Sequence, residues 1–202
     1  MITAAIDPGE HRSACAIFDG PELVSLEWLE PGAVWPGLDL VDRVVIEKPR
    51  LYPGHPRPGN ILNLGWGGAL VAGAFRPQRV IMNPRARCAV KVASGVRALI
   101  VYEPSQWKGN VKKPPHHWRC WKVLNPHERK LFAPTVEAKI KTAVKKLAKS
   151  KSRKVTGYSF EAHNLLDAMA LGLFFLKRTE KGGAVVQLVS RRKAARSFPR
   201  AA

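Results

Sequence analysis

The stretch Ile2-Thr3-Ala4-Ala5-Ile6-Asp7-Pro8-Gly9 decides the fold. Its apolar run reads as a buried strand that stops on a carboxylate and turns at once through Pro-Gly. An acid at the end of a buried strand is costly unless it is solvated, paired or bound to a metal. Acids are scarce here: 34 Lys and Arg stand against 15 Asp and Glu, a net charge of +19 over 202 residues. The natural partner of such a chain is a polyanion. Asp7 therefore reads as a metal ligand aimed at phosphate.

Working outward, Ala14–Phe18 is a second strand. Asp19-Gly20 then turns the chain into Glu22–Leu29, making an antiparallel meander. Arg43-Val44-Val45-Ile46-Glu47 is a β-branched strand that ends in another acid, just before Pro49. Val80–Met82 and Ala98–Tyr102 read as further strands. Asn60–Phe75, apolar and rich in small residues, reads as a helix and a candidate dimer face. Pro114-Pro115 opens a helix that runs through Trp118, Trp121 and Leu124. Asn125, with Pro126 next and Glu128 three residues on, has the form of a capping box. Val136, Ile140, Val144 and Leu147 recur at helical spacing after Thr135, with lysines on the other face. Phe160–Lys177 is the last helix. Strands followed by helices in this order predict an α/β fold built on a mixed sheet.

The charge is lopsided. Residues 1–107 hold 11 Lys and Arg and 10 Asp and Glu, whereas residues 108–202 hold 23 and 5. This predicts a near-neutral core carrying a basic, nucleic-acid-binding face. The longest apolar run, Leu165–Leu176, contains Asp167 and is too short to span a bilayer. Cys15, Cys88 and Cys120 lack paired zinc spacing and suit reduced thiols, so a cytoplasmic setting is expected.

Three acids carry the candidate chemistry: Asp7, Glu47 and Asp167. On a helix, His163 (i−4) and Asn164 (i−3) share the face of Asp167. Carboxylates are the hard oxygen ligands that magnesium demands. A pair of such ions, about 3.5–4 Å apart, activates water and stabilises the leaving oxygen in phosphodiester hydrolysis.

Ala5-Ile6-Asp7-Pro8-Gly9, Val45-Ile46-Glu47 and His163-Asn164-Leu165-Leu166-Asp167-Ala168-Met169-Ala170-Leu171, in that order, resemble the RuvC family of Holliday-junction resolvases, within the RNase H-like nuclease superfamily. Pro104-Ser105-Gln106-Trp107-Lys108-Gly109 and Lys112-Lys113 resemble its phage branch. The resemblance spans roughly residues 2–176. It implies a five-stranded mixed sheet flanked by helices, a homodimer, and a site with two Mg²⁺ or Mn²⁺ ions. By the resemblance, Asp7, Glu47 and Asp167 are metal ligands. The fourth ligand falls on Asn164, where the family usually has Asp and sometimes His, with His163 beside it.

Lys108 resembles the family lysine that meets the reacting phosphate, and Lys113 a second one. Lys112, Arg119 and Lys122 extend that patch among Trp107, Trp118 and Trp121. These aromatics read either as base-stacking groups or, for Trp118 and Trp121, as core. Lys145, Lys146 and Lys149 belong to a run without any acid between Glu137 and Glu161, suited to DNA backbone. Lys48, Arg50 and Tyr52 border the site; the resemblance implies an aromatic in this loop near the junction centre, and Tyr52 is the nearest candidate. The expected organisation is a nuclease domain over residues 1–178 and a basic, partly disordered tail over 179–202. The expected activity is metal-dependent cleavage of four-way DNA junctions, in the cytoplasm of a cell or of a phage-infected host. The alternatives are a flap or RNA–DNA hybrid nuclease of the same fold, or an architectural DNA-binding protein without hydrolysis.

Overall fold

The computed structural model describes residues 1–9, 11–30, 37–48, 65, 68–70, 73–82, 84, 97–149, 158, 160 and 162–180. The strands are β1 (Ile2–Asp7), β2 (Ser13–Asp19), β3 (Glu22–Leu29), β4 (Arg43–Glu47), β5 (Arg79–Met82) and β6 (Ala98–Tyr102). They form one sheet in the order β3-β2-β1-β4-β6-β5. The meander β1–β2–β3 is antiparallel, whereas β1–β4, β4–β6 and β6–β5 are parallel. The sheet thus has six strands, not the five implied by the resemblance. At one edge of the sheet the short β5 pairs with β6, where it needs a neighbour on one side only. Residues 65, 68–70 and 73–75 are helical. The rest of the helix predicted over Asn60–Phe75 lies outside the described residues, as does the basic tail beyond residue 180.

The helices follow as α1 (Pro104–Trp107), α2 (Lys113–Val123), α3 (Pro126–Arg129), α4 (Thr135–Lys149) and α5 (His163–Phe175). Proline opens α2, and the predicted capping box opens α3: Asn125 Oδ1 accepts from the Glu128 N–H, and Glu128 Oε2 accepts from the Asn125 N–H. Helix α4 buries Val136, Ile140 and Ala143 and turns its lysines outward. Helix α5 is buried continuously from Leu166 to Phe174. Such a helix is apolar all round because protein covers every side of it.

The core divides by strand parity. Ala4, Ile6, Val44, Ile46, Leu99 and Val101 pack on one sheet face with Phe75. Ala5, Val45, Ile100 and Tyr102 pack on the other face with the helices. Side chains alternate along a strand with period two, so Asp7 shares the face of Ala5, and Glu47 that of Val45. Parallel pairing sets Ile6 beside Ile46. One step further, Asp7 and Glu47 end adjacent strands on the face that α5 covers.

Candidate active site

Helix α5 lies across β1 and β2 and sets Asp167 over the carboxyl ends of β1 and β4. Its close seat comes from Gly172: a Cβ there would stand 2.2 Å from Cε2 of Phe18. Asp167 is 2% exposed and is the one charged residue among the buried positions of α5. Asp7 and Glu47 are half-buried at their strand ends.

Asp167 meets three nitrogen donors. Lys108 Nζ lies 2.7 Å and His117 Nε2 3.0 Å from Oδ1, and Lys113 Nζ lies 2.6 Å from Oδ2. Glu47 accepts from the indole N–H of Trp107 at 2.9 Å. Trp107 is buried, so its role is to hold Glu47; Trp121 also is buried, and Trp118 is partly so. Trp118 lies between two cations, Lys122 Nζ at 5.3 Å and Lys141 Nζ at 5.4 Å from its ring centroid.

The electrostatics divide the acids. Burial pushes the Asp7 carboxyl well above its usual range, and the charges of Asp167 and Glu47 push it further. Glu47 is raised by burial, against the lowering pull of Lys108. Burial alone would raise Asp167 as well, but His117 and the two lysines overcome it and hold that carboxyl well below its usual range. Lys108 is raised, because its acid neighbours outweigh burial. His117 is lowered, chiefly by burial and also by the lysine charges, against the raising pull of Asp167. The two ammonium groups bring positive charge to Asp167, and His117 adds a hydrogen bond.

The donor chemistry fits a divalent cation. Three hard-oxygen carboxylates lie near enough for their charges to act on one another, and two of them are destabilised by burial and mutual repulsion, a state that bound positive charge relieves. Among the described residues, however, no group of three or more His, Cys, Asp and Glu side chains stands ready as a metal cage. Asp167 is instead compensated by lysines.

Of the residues expected at the site, Asp7, Glu47, Asp167, Lys108 and Lys113 come together. His163 sits at the first turn of α5 with Nδ1 on the Phe160 carbonyl oxygen at 2.8 Å, and its ring packs against that of Phe160. Asn164 is half-buried beside it. The imidazole that meets Asp167 is that of His117, which sequence reasoning missed. A signal was present: His117 follows Lys113 by four residues, hence on the same face of α2. Lys48, Lys112, Arg119, Lys122, Lys145, Lys146 and Lys149 are exposed. Arg50 and Tyr52 lie outside the described residues.

The frame that carries these residues is a six-stranded mixed sheet flanked by helices. No family model matches the chain, and no curated protein matches it. Among solved structures the chain is similar to T. thermophilus RuvC in complex with a Holliday junction substrate, at 16% identity and a TM-score of 0.38. It is also similar to a second Thermus thermophilus RuvC structure, at 15% identity and a TM-score of 0.35. Each match covers 88% of this chain and 96% of the other. No helix among the described residues is long and apolar enough to cross a membrane.

Proposed function

We propose that this chain is a metal-dependent endonuclease that cleaves branched DNA, four-way junctions in particular. The observation that carries this reading is the convergence of Asp7, Glu47 and Asp167 on one sheet face, with Lys108 and Lys113 directly against Asp167. Acids so close in so basic a protein are costly to fold around and serve no packing need. Asp7, Glu47 and Asp167 would hold Mg²⁺ or Mn²⁺, two ions per site, with His163 or Asn164 as a further ligand. A divalent ion there supplies an activated water and charge stabilisation on the leaving oxygen. Lys113, half-exposed, and Lys108 bind the scissile phosphate; each is a compact point charge that can turn from carboxylate to phosphate. Trp107 keeps Glu47 aimed. The exposed lysines of α2 and α4 hold DNA backbone without reading sequence. A homodimer would place two such sites for paired cuts.

One observation favours a second reading. Both oxygens of Asp167 are already taken by Lys108, Lys113 and His117, as they would be in a protein that binds DNA without cutting it. The test is labelled four-way junction, flap, RNA–DNA hybrid and linear duplex, each incubated with the protein in Mg²⁺ or EDTA beside Asp7→Asn. Metal-dependent cutting of the junction that Asp7→Asn abolishes is the expected result. Equal cutting by the variant would refute the site. Junction binding without cutting under any metal would establish the second reading.

A further inference from the structure

Tyr158 and His117 form a hydrogen-bonded chain that ends on Asp167. The Tyr158 hydroxyl lies 2.6 Å from His117 Nδ1, and His117 Nε2 lies 3.0 Å from Asp167 Oδ1. A carboxylate oxygen only accepts, so Nε2 carries the hydrogen. Nδ1 on the far side of the ring is held by the Tyr158 hydroxyl. The imidazole is fully buried and lies between rings, with His116 at 6.0 Å and Tyr158 at 5.6 Å between centroids.

The donors on Asp167 are unequal. Lysines are long and flexible, and Lys113, which meets Oδ2, is 42% exposed at its side chain. It is free to leave for a phosphate. His117 is short, enclosed and tied at its far nitrogen, so it stays. Its hydrogen bond therefore continues to fix Oδ1 after the lysines have turned away, and leaves Oδ2 as the exchangeable oxygen. We propose that His117, locked by Tyr158, is a positioning residue that holds the Asp167 carboxylate with Oδ2 presented to incoming ligands. This rests on the nuclease reading above. Outer donors that orient metal-binding carboxylates typically matter by about 10–100-fold in metal affinity or activity.

The test compares Tyr158→Phe, His117→Phe and His117→Gln in the full chain. The readouts are Mn²⁺ affinity by calorimetry without DNA, kcat and KM on a four-way junction, junction affinity in EDTA, and ¹⁵N-histidine spectra. His117→Phe is expected to lower Mn²⁺ affinity and kcat by about 10–100-fold. His117→Gln recovers part of that loss, because its amide N–H reaches where Nε2–H did. Tyr158→Phe, which removes one oxygen and little packing, lowers kcat while KM and EDTA-state junction affinity stay within about twofold. Wild-type Mn²⁺ affinity and turnover in His117→Phe would overturn the proposal, as would a Gln variant no better than Phe. If the wild type neither binds Mn²⁺ nor cuts any DNA, it is the nuclease reading that falls. The spectra then judge the positioning claim: an Nε2–H tautomer at His117 that changes in Asp167→Asn supports it, and an Nδ1–H tautomer overturns it.

Discussion

Lys113 Nζ stands 2.6 Å from Asp167 Oδ2, joining a half-exposed cation to a carboxylate that is 3% exposed at its side chain. The contact is the point at which the basic surface reaches the buried acids. Lys113→Met is expected to weaken junction binding in EDTA and to reduce the slope of log affinity against log salt by about one, the signature of one lost phosphate contact. Lys108, more deeply set on Oδ1, acts on chemistry rather than on binding. Lys108→Met is expected to lower kcat by about 10²-fold, as loss of one charge-stabilising donor does. Single-turnover cleavage and binding titrations at several salt concentrations check both.

Asp7→Asn is expected to abolish cleavage and yet to raise the Tm of the metal-free protein. The Asp7 carboxyl is raised well above its usual range by burial and by the charges of Asp167 and Glu47. Between the unfolded value of about 3.9 and the folded value, the native state then binds more protons than the unfolded chain. The ionised carboxyl is therefore a burden that grows as pH rises through that window and is absent below it. Thermal melts at neutral and acidic pH should show the variant's gain at the former and its disappearance at the latter. Mn²⁺ should stabilise the wild type and not the variant.

Glu128 ties three parts of the fold together. It is buried, accepts from the Leu23 and Asn125 backbone N–H groups, and forms a two-pronged ion pair with Arg178, whose second prong measures 2.8 Å. Burial pushes its carboxyl up, but the Arg178 and backbone hydrogen bonds prevail and hold it below its usual range. The stability it contributes is accordingly present above the unfolded value of about 4.3 and lost as pH falls through the lower folded value. Glu128→Gln is expected to cost about 3–5 kcal/mol at neutral pH, since it leaves Arg178 without its charge partner. Urea melts at neutral pH and at acid pH check the size and the direction.

Gly172→Ala ought by helix propensity to gain about 1 kcal/mol. It is expected to destabilise instead. The new methyl would stand 2.2 Å and 2.6 Å from Cε2 and Cζ of Phe18, a fully buried ring. Overpacking of this kind costs about 1–3 kcal/mol, and a loss of about 2–4 °C in Tm accompanies each net kcal/mol. Cleavage should fall with it, because α5 carries Asp167 and would be lifted from the sheet.

Local signals proved legible wherever one element contains its own explanation. The run into Asp7, the β-branched strand into Glu47, the Asn125 capping box and the lysine-backed helix from Thr135 each carry period, cap or turn chemistry within a few residues. The six strands are each visible that way. Their count in one sheet is not, because whether β5 joins β6 depends on a crossover rather than on anything in Arg79–Met82.

The sequence by itself determined that costly acids end two strands and sit inside one apolar helix, and that the positive charge belongs to the second half of the chain. Only the tertiary structure decided which groups meet those acids. Strand parity and the parallel register of β1 with β4 set Asp7 beside Glu47. The glycine-thin seat of α5 brought Asp167 over them. The packing of α2 chose His117 as the imidazole at the site, while His163 is held by the Phe160 carbonyl three residues before it. Period and propensity act over a few residues, whereas the partner of a buried charge is selected by packing across the whole sheet, where Lys108, Lys113 and His117 converge from 50 to 59 residues away in sequence.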